Sequence, residues 1–184
     1  MELSQADQYY LKALNEYPYN LGSMIENLQY AQSYDNEHAP SWCLLGQIHM
    51  YLLKDYRKAK HCYNQSIACD LNYRDAYKYL SLLYIWLGRY KQAKKVIQHG
   101  MKIPGMDQVI MSQHLAMVYE YRGNLSTSKM LLKQAKLITN DTQQINKIDA
   151  EINRVKKKQK QLKKLKSKYS NGSSIEAGMT EGKK

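Results

Sequence analysis

Apolar and small residues recur at three- and four-residue intervals through most of the chain, the spacing of one helix face, and the same block returns three times. Trp42, Leu45, Gly46 and His49 form the first block, Tyr77, Leu80, Ser81 and Tyr84 the second, and Ser112, Leu115, Ala116 and Tyr119 the third. Each block begins 35 residues after the one before. In every copy an aromatic or its substitute is followed by leucine, then a small residue, then an aromatic or histidine, all on one helical face. A second helix is predicted after each block: Tyr56, Ala59, Tyr63 and Ser66, then Tyr90, Ala93, Ile97 and Gly100, then Leu125, Ser128, Leu132 and Ala135. Gly88 and Gly123 sit between the paired helices, where a left-handed C-terminal cap suits glycine. The small residues Gly46, Ser81 and Ala116 leave holes that Ala59, Ala93 and Ser128 of the second helices can approach closely, as a tight helical hairpin requires.

These residues resemble the tetratricopeptide repeat family, whose pattern W-x2-L-G-x2-Y followed by G-x-Y-x2-A-x3-F-x2-A is matched almost in full from Tyr77 to Gly100. The resemblance implies an all-α fold, a right-handed superhelical solenoid of antiparallel helix pairs closed by a C-terminal capping helix. Repeats are expected at 39–73, 74–108 and 109–140. A degenerate first repeat is expected at 3–38, with Leu21, Met24, Leu28 and Ala31 on its second helix and Tyr17-Pro18-Tyr19-Asn20 in place of the glycine turn. The repeat at 39–73 departs by one extra residue in Leu52-Leu53-Lys54 before its second helix, and Leu71 and Asn140 stand where the family often has proline.

After Asn140 the pattern changes to Ile145, Ile148, Ile152 and Val155, a helix predicted to cap the last apolar face. The phase continues through Leu162 and Leu165 inside the lysine run 156–168, so 141–169 is read as a capping and basic extended helix and 170–184, polar and glycine-rich, as a disordered tail. A short coiled-coil seam of Ile148, Ile152, Val155 and Leu162 with a second copy is a weaker reading, which leaves homo-oligomerisation open.

Charge sharpens this division. The net charge is +12, but residues 1–153 carry 17 Lys and Arg against 14 Asp and Glu, whereas 154–184 carry 11 against 2. Any attraction to nucleic acid, a ribosome or an anionic membrane belongs to Lys156 to Lys168 and not to the body. No run of 18 apolar residues occurs and the start lacks the order of a signal peptide, so a cytoplasmic location is expected.

The chemistry-bearing residues form no constellation. Cys43, Cys62 and Cys69 are odd in number without Cys-x-x-Cys spacing, and read as reduced packing residues. The five histidines show no metalloprotease spacing, and His49 stands where the family has a packing tyrosine. Asp70, Asp107 and Asp141 read as helix caps. No enzyme activity, small-molecule substrate, cofactor or metal is expected. The resemblance implies instead a scaffold or adaptor whose concave groove, lined by the first helix of each repeat, holds a peptide or helix of another protein. Projecting that face through the period gives Pro40, Cys43, Leu44, Gln47 and Tyr51, then Asp75, Lys78, Tyr79, Leu82 and Trp86, then Ile110, Gln113, His114, Met117 and Tyr121. Of these, Leu44, Gln47, Lys78, Tyr79, Leu82, Trp86, His114, Met117 and Tyr121 are expected to bind a partner, with Tyr79, Trp86 and Tyr121 as anchors. Lys78 is the only cation among the fifteen projected positions, which disfavours the family's two-carboxylate clamp for chaperone tails. The alternative function is a nucleic-acid-, ribosome- or anionic-membrane-associated factor acting through the basic C-terminal helix.

Overall fold

A computed structural model describes the backbone of residues 3–177 and the side chains of 3–167. Among the described residues every regular element is helical: α1 Gln5–Glu16, α2 Leu21–Tyr34, α3 Ala39–Gln47, α4 Tyr56–Cys69, α5 Arg74–Trp86, α6 Tyr90–Gly100, α7 Gln108–Tyr121, α8 Leu125–Leu137 and α9 Thr142–Ala177. The chain divides into two compact units, Met1–His114 and Leu115–Lys184, with the boundary inside α7.

Most of the helices begin where a polar side chain takes up orphan N–H groups of the first turn, whereas α5 and α6 start at Tyr73 and Arg89 without a side-chain cap. Ser4 and Asp7 form a reciprocal capping box on α1. Asn20, Asp55 and Asn124 accept from Ser23, Lys58 and Thr127 at 3.3, 3.0 and 3.1 Å. Asp107 accepts from the amides of Val109 and Ile110, and Asp141 from that of Gln143. Asp70 closes α4 and accepts from the Asn72 amide at 2.8 Å. His38 caps α3 from a buried position, its Nδ1 3.3 Å from the Ser41 amide and its Nε2 3.1 Å from Asp7 Oδ1. One imidazole thereby ties the start of α1 to the start of α3.

In the first unit α1 packs on α2, α3 on α4 and α5 on α6, and the pairs join through α2 on α3 and α4 on α5. Met24, Leu28 and Ala31 are fully buried on α2, so α1 and α2 form a packed helix pair. The small residues act as the spacing implies. A Cβ on Gly46 would meet Tyr63 Cε1 at 2.5 Å, and Ala59 and Ala93 are wholly buried.

The extra residue of the repeat at 39–73 is absorbed as a turn of π-helix, Ile48–Leu52, in which the Leu53 amide donates to the Ile48 carbonyl at 3.0 Å. The chain then leaves through Lys54 at φ 55°, the left-handed conformation that Gly88 (68°) and Gly123 (80°) adopt at the equivalent turns. Both glycine turns close by a six-residue loop, Arg89 N–H to the Tyr84 carbonyl at 2.8 Å and Asn124 N–H to that of Tyr119 at 2.9 Å.

In the second unit α8 packs along α9. Leu132 and Ala135 of α8 are buried, as are Ile148, Ile152 and Val155 of α9, while Ile145 is half-buried. Lys136 pairs with Asp149 at 2.6 Å across the two helices. The helix does not stop at the boundary expected after Tyr169. It continues to Ala177, since no proline interrupts 170–177 and a nucleated helix gains one hydrogen bond per added residue. The remainder of the expected disordered stretch, 178–184, lies outside the described residues.

Candidate docking face

The π-turn and α5 bring three rings together on the first unit. Tyr51 stands edge-on to Trp86, centroids 5.5 Å apart at 88°, and edge-on to Tyr79 at 6.4 Å and 81°. Tyr79 in turn stacks on the fully buried Tyr63 at 6.0 Å and 13°. Edge-to-face and offset-stacked pairs match the electropositive ring edge to the electronegative ring face, so the cluster is fixed by its own quadrupoles as well as by area. Tyr51, Tyr79 and Leu82 are half-buried against a core of Cys43, Met50, Ala59 and Leu83, whereas Trp86 keeps 49% of its surface in solvent. A large aromatic held rigidly on one side and open on the other loses little entropy when a ligand covers it.

Lys78 is the cation of this face. Its Nζ donates to Asp75 at 2.6 Å and lies 4.9 Å from the Tyr79 ring centroid. Beside it, at the N-terminal ends of α5 and α7, is a cavity of about 310 Å³ lined by Arg74, Asp75, Lys78, Asp107 and Ile110. Arg74 donates to the Gly105 carbonyl at 2.8 Å. Both cations of the cavity are thus engaged, and of its three carboxylates Asp75 holds Lys78, Asp107 the α7 amides and Asp70 the Asn72 amide. Burial pushes the Tyr79 phenol up to about 12 and raises those of Tyr51, Tyr10 and Tyr73. Every phenol here stays protonated at neutral pH and can donate.

The nine residues expected to bind a partner are not equivalent in the structure. Lys78, Tyr79, Leu82 and Trp86 come together as described, and Gln47 is half-buried on α3 with its amide 3.9 Å from Cys43 Sγ. Leu44 and His114 are corrections. Leu44 is only 2% exposed, packed among Ala13, Met24, Leu28 and Ile48, because the helix pair preceding α3 covers that side. His114 is buried with Nδ1 2.7 Å from Ser81 Oγ, and burial first, then Lys78, lowers its pKa to about 4 against the opposing pull of Asp107. On the second unit Met117 is half-buried and Tyr121 is 54% exposed.

The second unit holds a feature with no forewarning in the apolar pattern. Glu120 of α7 is buried, its side chain 2% exposed, and accepts from both Arg154 and Lys158 of α9 at 2.5 Å. Two of the cations counted in the basic segment therefore neutralise an internal carboxylate. The signal available in the sequence was an acidic residue between apolar positions of a packed helix.

Among the described residues no group of three His, Cys, Asp or Glu could hold a metal. Burial raises the Cys43 thiol to about 12 and Cys62 to about 11, which keeps both unreactive. His49 lies in the π-turn, half-buried, and its pKa is lowered by burial. No helix of the described residues is long and apolar enough to cross a membrane.

Comparison with known proteins gives one family match and a set of shared folds. Residues 39–73 match the family described as tetratricopeptide repeat. No curated protein matches the chain in sequence. PilF of Pseudomonas aeruginosa superposes with a TM-score of 0.75 at 13% identity, covering 85% of this chain and 70% of PilF. MamA from residue 41 of Desulfovibrio magneticus RS-1 gives 0.69 at 12% identity, covering 96% and 97% of the two chains. TTC0263, a thermophilic TPR protein of Thermus thermophilus, gives 0.67 at 13% identity, covering 79% and 80%.

Proposed function

We propose that this chain, in which one tetratricopeptide repeat is matched at 39–73 and which shares its helical-repeat fold with solved structures, is a cytoplasmic scaffold without catalytic activity. It holds a peptide or helix of another protein against Tyr51, Tyr79, Leu82 and Trp86. Trp86 carries the reading: a tryptophan half in solvent, clamped edge-on by Tyr51, is an anchor already in place before a ligand arrives. The charges beside it favour an apolar or amphipathic segment over an anionic tail, because Lys78 is already engaged by Asp75 and the Tyr79 ring. The fold comparisons support the helical-repeat architecture on which this reading rests.

Trp86→Ala is the discriminating change. Tyr79 stacks on buried Tyr63 and its loss would disturb the core, whereas the solvent side of Trp86 can be removed at smaller structural cost. A pull-down from the native cell is expected to recover a specific protein with the wild-type chain and to lose it with Trp86→Ala, the circular dichroism spectrum being unchanged. Equal recovery by the folded variant would remove this face from the function.

A further inference from the structure

Beyond Val155 the helix α9 carries a surface independent of the aromatic face. Gln159, Leu162 and Lys166 continue, at four- and three-residue steps, the line on which Ile148, Ile152 and Val155 are buried against the unit. This is a heptad seam whose first half is covered and whose second half is open. Leu162 is 46% and Leu165 51% exposed. The open half forms one wall of a cleft of about 360 Å³, whose other wall is the turn and first residues of α8 from Gly123 to Ser126 with Lys129. Lys129, Lys163 and Lys166 line it, and Lys156 flanks the seam one heptad before Lys163. Among the described residues none of these four lysines has an acidic partner, unlike Arg154 and Lys158, which Glu120 holds.

We propose that this cleft docks an acidic amphipathic helix of another protein, its leucines laid on Leu162 and its carboxylates on Lys129, Lys163 and Lys166. Charge complementarity selects that occupant. A second copy of the chain would bring the lysines flanking one seam against those of the other, and like charges at such positions repel. A nucleic-acid backbone would satisfy the lysines but leave Leu162 and Leu165 uncovered, and a flat lipid surface does not enter a cleft walled by α8. An acidic helix satisfies both the apolar seam and the cationic rim, and the N-terminus of α8 adds favourable potential for its carboxylates.

The probe is a synthetic helix of about three heptads with Leu at the seam and Glu at the flanking positions, titrated against the full-length chain by fluorescence anisotropy. Binding at low salt that weakens at high salt is expected. Charge reversal of Lys163 and Lys166 together is expected to weaken it about tenfold, and Leu162→Ser to weaken it measurably. Reversal of Lys157 and Lys164, on the opposite face of α9, should change it less than about threefold, and Trp86→Ala not at all. The doubly reversed chain should instead bind the same peptide with Lys in place of Glu. Equal sensitivity to the two faces, indifference to Leu162, tighter binding of poly(U) or anionic vesicles than of the peptide, or a dimer that Leu162→Ser dissociates would each overturn the proposal.

Discussion

Tyr63 sets the tolerance at Gly46. Its ring is fully buried, bonded through the hydroxyl to Met50 Sδ at 3.5 Å and stacked beneath Tyr79, so it has no room to yield to the Cβ that Gly46→Ala would place 2.5 Å from it. Overpacking of this kind costs about 1 to 3 kcal/mol, and urea denaturation of Gly46→Ala should show that loss. Gly100→Ala is the internal comparison: the nearest atom there is Met111 Cε at 2.7 Å, the end of a flexible side chain, with Tyr77 Cβ next at 3.2 Å, so a smaller loss than at Gly46 is expected. His114 makes a pH-dependent contribution at the same scale. Its folded pKa of about 4 lies below the 6.5 of a free imidazole, so between those values the unfolded chain binds the extra proton and stability falls as the pH drops. The loss is roughly 2 to 4 kcal/mol, measurable as a shallower pH dependence of the urea midpoint in His114→Gln than in wild type. The glycine at position 46 was legible as a close contact because spacing alone marks small positions. Leu44 and His114 were not legible as buried, since periodicity defines a helix face without saying which neighbour covers it.

The π-turn before α4 shows what an inserted residue does to an element. One residue too many for the repeat becomes a wide turn ending in Lys54, held at φ 55° where the other two repeats place glycine. A lysine there carries the Cβ penalty of the left-handed region, so Lys54→Gly should raise stability by about 0.5 to 1 kcal/mol, and Gly88→Lys should lower it by a similar amount in thermal or urea unfolding. No change in the first case would mean that the turn relaxes out of this conformation. The insertion itself was legible from the count of residues; its form was not, because a bulge, a longer loop and a π-turn all absorb one residue. The Asp107 and Asp141 caps were legible for the opposite reason, each being a local hydrogen bond between residues two or three apart.

For the chain as a whole, the division of charge was visible in the sequence, and its partial cancellation was not. Arg154 and Lys158 belong to the buried Glu120, and Val155 is fully buried, so the stable body extends past 153. A chain cut after 153 leaves an unpaired buried carboxylate and an uncovered apolar face. It should be at least about 2 kcal/mol less stable even after allowing for the half-exposed cations. A chain cut after 160 keeps both contacts and should melt close to the full-length protein. Equal melting of the two truncations would show that Glu120 and Val155 contribute nothing. The central claim, that the aromatic face holds another protein, is tested most directly by a photoreactive phenylalanine analogue placed at Trp86 and, as a control, at the 84% exposed Leu137 of α8. Irradiation in the native cell should give one discrete protein adduct from position 86 and none from position 137; no adduct at 86, or the same adducts from both positions, would contradict it.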